Sequence, residues 1–144
     1  MTTGTHNYND DDRNQNVRIY VNGEIVPRAE AKVSVLDAGF ILGDGVWEGL
    51  RLKNGNLAFV DAHLERLYEG AKAIDLDIGL SPDEIKSEIL RTTAANNMTD
   101  DIHIRLMVTG GLKTTPFQDP RASASGLTVV IIPEFKTPVP GTLD

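Results

Sequence analysis

Cysteine is absent from this 144-residue chain. Without it, neither a disulfide scaffold nor a thiolate metal site can form. A basic excess is missing too: 14 Lys and Arg stand against 21 Asp and Glu, a formal net charge of −7. A nucleic-acid partner held by a positive surface is therefore not expected. No apolar run approaches the ~20 residues of a membrane-spanning helix, so no membrane association is expected. Residues 1–16 are polar throughout, unlike a secretory signal. What remains is ordinary globular composition, 40% hydrophobic and 24% charged. The length suits one domain, and the expectation is a soluble, cytoplasmic one.

The opening stretch MTTGTHNYNDDDRNQN has one aromatic and three consecutive aspartates. It cannot bury enough apolar surface to offset the entropy of ordering it, so residues 1–16 are expected to be a disordered tail. The domain should then occupy residues 17–135. VRIYVNGEIV places apolar residues on both sides of Asn22-Gly23, a hairpin signal, and VWEGLRLKNGNLAFV repeats it at Asn54-Gly55. The period then changes. Leu64, Leu67, Tyr68, Ala71 and Ile74 recur at helical spacing after Asp61, a reasonable N-cap. Ser81-Pro82 starts a second helix, with Asp83 and Glu84 early, Arg91 late and Asn96-Asn97 at its end. IHIRLMV returns to period two, with His103, Arg105 and Met107 opposite an apolar face, and LTVVII reads as a buried strand. PEFKTPVPGTLD has three prolines and no periodicity; it reads as a linker, assigned to residues 136–144. This order predicts the α+β class, an antiparallel β-sheet with two helices packed on one face.

Local chemistry leaves several readings open. His6, His63 and His103 have no metal-ligand spacing, and no metal site is expected. No nucleophile elbow, P-loop or dinucleotide fingerprint occurs. Gly43-Asp44-Gly45 reads as a turn. Three arginines stand out. Arg66 sits beside an apolar helical stripe, where it either lies along the surface or reaches an anion. Arg105 and Arg51 lie mid-strand and are ordinary if their face is solvated, or carboxylate ligands if it lines a cleft.

Taken together, YVNGEIVPRAEAKVSVLDAGFILGDGVWEGLR, FVDAHLERL and IHIRLMVTGG resemble the N-terminal domain of the class IV (fold-type IV) pyridoxal-phosphate aminotransferases. That family includes branched-chain and D-amino-acid transaminases. The resemblance implies pyridoxal 5'-phosphate as cofactor, a small-molecule amino acid and a 2-oxo acid as substrates, and a homodimer. It assigns the cofactor phosphate to Arg66, within His63-Leu64-Glu65-Arg66-Leu67. Trp47, Gly49 and Arg105 match positions that shape the substrate pocket. Residues 109–120 look like the family's substrate-recognition loop. Two positions depart from the pattern: Leu42 stands where branched-chain members carry a pocket tyrosine, and Gly110 where relatives often carry arginine.

Transamination requires a lysine that condenses with the cofactor aldehyde and shuttles a proton. In this family that lysine belongs to the second domain, which the resemblance places beyond Asp144. None of Lys32, Lys53, Lys72, Lys86, Lys113 and Lys136 matches its context, so no catalytic residue is assigned. The expectation is an N-terminal part, truncated before that lysine and inactive alone. The rival readings are a non-catalytic interaction module, half of a split enzyme, or a protein like 4-amino-4-deoxychorismate lyase.

Overall fold

The computed structural model describes residues 10–138 and 140. Among the described residues, six strands form one sheet: β1 (Arg18–Val21), β2 (Glu24–Pro27), β3 (Gly45–Lys53), β4 (Asn56–Leu57), β5 (Ile102–Thr109) and β6 (Thr128–Phe135). Their order is β2-β1-β6-β5-β3-β4, and every pairing is antiparallel. The last strand thus enters the middle of the sheet. Both hairpins turn where Asn-Gly marks them. Asn22 and Gly23 have φ of 49° and 95°, and Asn54 and Gly55 48° and 77°. Two successive positive φ values define the type I′ turn, which matches strand twist and which Asn and Gly adopt at least cost.

Helix α1 (Ala38–Leu42) is a short turn before β3, capped by the Asp37 carboxylate and stopped by Gly43. Helices α2 (Val60–Ala73) and α3 (Pro82–Ala95) cover one face of the sheet. The α2 helix packs on β3, and α3 on β1 and β6. Leu64, Leu67 and Ala71 of α2 and Ile85 and Ile89 of α3 meet Leu50, Leu52, Ile104, Leu106 and Ile131 of the sheet. The predicted α+β architecture is therefore observed. The Ser81 cap, Pro82 at the first turn and the stop at Asn96 also fall where the sequence places them. Among the described residues, no helix is long and apolar enough to cross a membrane.

Three expectations are corrected. Residues 12–16, assigned to a disordered tail, form a 3-10 helix, Asp12–Asn16, capped by Asp11. Asn14 pairs with the Phe135 backbone like a short strand, donating to its C=O at 3.0 Å and accepting from its N–H at 2.7 Å. The guanidinium of Arg13 lies 4.2 Å over the Phe135 ring. Polar side chains order this stretch where apolar burial could not; the remainder of the tail, residues 1–9, lies outside the described residues. Asp61 is not the cap of α2: Phe59, at φ 52°, holds that position, and Asp61 pairs with Lys86 from inside the first turn. Pro133 to Phe135, read with the proline-rich linker, complete β6. Pairing between β1 and β6 spans only Tyr20–Ile131 and Val21–Val130, so Pro133 lies where one edge of β6 carries no ladder. Residues 139 and 141–144 of the expected linker lie outside the described residues. Asp144, the boundary expected before the catalytic lysine, is among them.

Candidate functional site

Alternation along the strands divides chemistry between two faces. Glu48, Leu50 and Leu52 of β3 point beneath α2 and α3, while Trp47, Gly49 and Arg51 lie on the face those two helices leave uncovered. Register then sets three rows across β3, β5 and β6: Trp47–Met107–Val130, Gly49–Arg105–Ile132 and Arg51–His103–Glu134. The open face thus passes from apolar to charged in three steps.

Arg105 leans toward the apolar end, its guanidinium 3.9 Å over the Trp47 ring. A cation on an indole face is attracted by the ring quadrupole and held in place. Beyond Trp47 opens a cavity of about 460 Å³, lined by Val33, Phe40, Met107, Val130 and Ile132 among others. Gly49 supplies room: a Cβ there would lie 3.3 Å from His103 Nε2. Arg51, the third candidate, donates instead to the Lys136 carbonyl at 2.7 Å.

On the opposite face Glu48 is 4% exposed, among apolar neighbours. A carboxylate there requires partners, and α2 provides two. Arg66 donates through Nε at 2.6 Å and through one terminal nitrogen at 2.7 Å, a bidentate fork. His63, one turn earlier, lies 2.8 Å from the same carboxylate through Nδ1. The Arg66 hydrogen bond holds the Glu48 carboxyl below its usual value of 4.5, against the opposing effect of burial and with help from His63. The stabilisation is therefore complete above that value and lost as pH falls through the lowered one. Glu48→Gln should cost about 1–2 kcal/mol at pH 7, Arg66 being solvent-exposed. Urea unfolding at falling pH should show the gap between variant and wild type closing in acid; an unchanged gap would count against the charged clamp.

The structure brings Trp47, Gly49 and Arg105 together on the open face, and places Arg66 behind the sheet, joined to them through Glu48. Sequence reasoning missed Glu48 and His63 as site residues. A signal existed for Glu48: it stands two positions before Leu50 and four before Leu52, hence on the buried face, where an acid needs a partner. Leu42 ends α1 and is not among the residues lining the cavity. The space of a side chain at Gly110 is taken by the Asp44 carboxylate. The loop from 109 to 120 is tied down: Thr109 donates to buried Asp37 at 2.9 Å, and the buried Lys113 ammonium reaches the Asp119 carbonyl and Ser123 hydroxyl, each at 3.3 Å.

The sheet is covered on one side by α2 and α3 and presents an arginine, an aromatic and a cavity on the other, an arrangement with room for a small ligand. Residues 45–141 match the family described as amino-transferase class IV. Branched-chain-amino-acid aminotransferase-like protein 1 of Arabidopsis thaliana is 41% identical over 126 residues, covering 88% of this chain and 23% of that protein. A putative branched-chain-amino-acid aminotransferase of Methanocaldococcus jannaschii is 43% identical over 96 residues, 67% of this chain and 33% of that one. The branched-chain aminotransferase of the archaeon Thermoproteus uzoniensis, solved with norvaline, superposes with a TM-score of 0.68 at 28% identity, over 83% of this chain and 40% of that one. The chain belongs to the class IV aminotransferases. That family depends on pyridoxal phosphate, and one of its solved branched-chain members carries N-(5'-phosphopyridoxyl)-L-glutamate. The chain spans well under half the length of these relatives.

Proposed function

We propose that this chain is the phosphate-anchoring and substrate-facing part of a cytoplasmic, homodimeric aminotransferase. The enzyme would move the amino group of a branched-chain or similar amino acid to 2-oxoglutarate. The observation that carries this reading is the state of Arg66. Glu48 engages Nε and one terminal nitrogen, while the side chain remains 71% exposed. Three of its five N–H groups stay unspent, in a fixed orientation that suits a dianionic phosphate. The residues present therefore fit pyridoxal phosphate, which when bound supplies the electron sink that lets an amino acid lose its α-proton.

Each remaining part has a role in this chain's own side chains. Arg105, steadied on Trp47, would hold a substrate carboxylate. The apolar cavity beside Trp47 suits a branched aliphatic side chain, and Gly49, opposite Arg105, adds no side chain to the sheet surface there. The proton-shuttling lysine would come from a second domain following Asp144, so the 144 residues alone should turn over no substrate. The exposed apolar side chains Val33, Val35, Phe40 and Phe117 support such a covering partner.

The test is the protein from its native source, weighed intact and assayed with leucine, isoleucine or valine and 2-oxoglutarate. A mass well above 15.7 kDa together with amino transfer is expected. Failure to transfer from any of these donors would contradict the activity. A mass near 15.7 kDa would contradict the second domain.

A further inference from the structure

One titratable group on the open face has no part in the roles above. His103 stands between Arg51 of β3 and Glu134 of β6 in the charged row. Its Nδ1 lies 3.4 Å from the Glu134 carboxylate. Its Nε2 faces the gap that Gly49 leaves by having no side chain. Arg105 lies two residues along the same strand, on the same face. One ring nitrogen thus lies beside a carboxylate, while the other faces the space above Gly49, in the row that also carries Arg105.

We propose that His103 is a further specificity-determining residue: it takes up a proton when a carboxylate binds at Arg105, and so favours acidic over uncharged ligand ends. This rests on the reading of Arg105 given above. The charged groups facing His103 are Arg51 from β3, Arg105 from its own strand, Glu134 from β6 and Lys136 just beyond it. Burial chiefly pushes the imidazole below its ordinary 6.5, with Lys136, Arg51 and Arg105 adding to this and Glu134 opposing it. Without a ligand these effects favour the neutral ring. A carboxylate arriving beside it reverses the balance of charge and favours the imidazolium, whose second N–H, on Nε2, can then donate to the ligand.

The sign follows from linkage. A ligand that raises the His103 pKa binds more tightly as pH falls from above the bound value to below the free one, by up to about tenfold per pH unit between them. The experiment is a titration of the full chain with glutarate, followed by NMR of the His103 ring from pH 5 to 8. A His103 midpoint raised by glutarate is expected, with affinity increasing toward acid. His103→Gln should still bind glutarate but lose that pH dependence, and glutaramide should leave the wild-type midpoint unmoved. Glutarate binding without movement of the His103 midpoint would overturn the proposal, as would failure to bind or an unchanged pH dependence in the variant. Pyridoxal phosphate added to the same sample, read by the phosphorus resonance, reports on Arg66 separately. A phosphate signal that responds while His103 does not would sink the inference and leave the wider reading standing. Silence from both would remove both.

Discussion

Leu106→Ala should lower stability by about 2–5 kcal/mol, the range for emptying a leucine's volume from a closed core. At this chain length that corresponds to a fall in the thermal midpoint of roughly 10 °C. Leu106 is fully buried, sits at the centre of β5 and is paired on one side with Glu48 and on the other with Ile131. Its neighbours belong to a sheet held in register on both flanks and to helices packed over it, so little can move inward to fill the void. Met107→Ala, one residue away on the open and partly solvated face, should cost clearly less. Thermal unfolding followed by circular dichroism would measure both. Equal losses would mean that the two faces are not divided as described.

That division is legible in large part from the chain itself. Asn-Gly pairs mark both hairpins, and the change from period two to helical period and back locates α2, α3 and β5, because each signal is local. The position of β6 between β1 and β5 has no such signal. It is set by pairings between residues roughly 25 and 110 positions apart, which no local pattern reports. The start of the fold escapes notice for a different reason. Residues 12–16 lack apolar side chains, yet Asn14 and Arg13 dock on Phe135 through hydrogen bonds and a cation–aromatic contact.

The candidate site divides in the same way. Trp47, Gly49 and Arg105 can be placed on one face from alternation once β3 and β5 are recognised, but their cross-strand rows require the register. Arg66 stands out as an arginine beside an apolar stripe. Its partner Glu48 is hidden inside a motif, because the question of what neutralises an acid on a buried face arises only when strand and helix are set against each other. The stacking of Arg105 on Trp47 depends on side-chain direction across two strands and has no sequence signature.

The role proposed for Arg66, an anion anchor held ready by Glu48, is probed by Arg66→Gln. The substitution removes the charge and the rigid fork, and leaves the amide to meet both Glu48 and the phosphate. Affinity for pyridoxal phosphate should fall roughly 10- to 100-fold. Arg66→Lys, which keeps a charge without the fork, should fall between variant and wild type. The measurement is equilibrium binding of pyridoxal phosphate and of pyridoxal to wild type and Arg66→Gln, with circular dichroism to verify that both are folded. The wild-type chain should prefer the phosphorylated form by about tenfold or more, as a charge-assisted phosphate contact requires, and the variant should bind the two alike. A folded Arg66→Gln that retains the preference, or a wild type that shows none, would rule out that role.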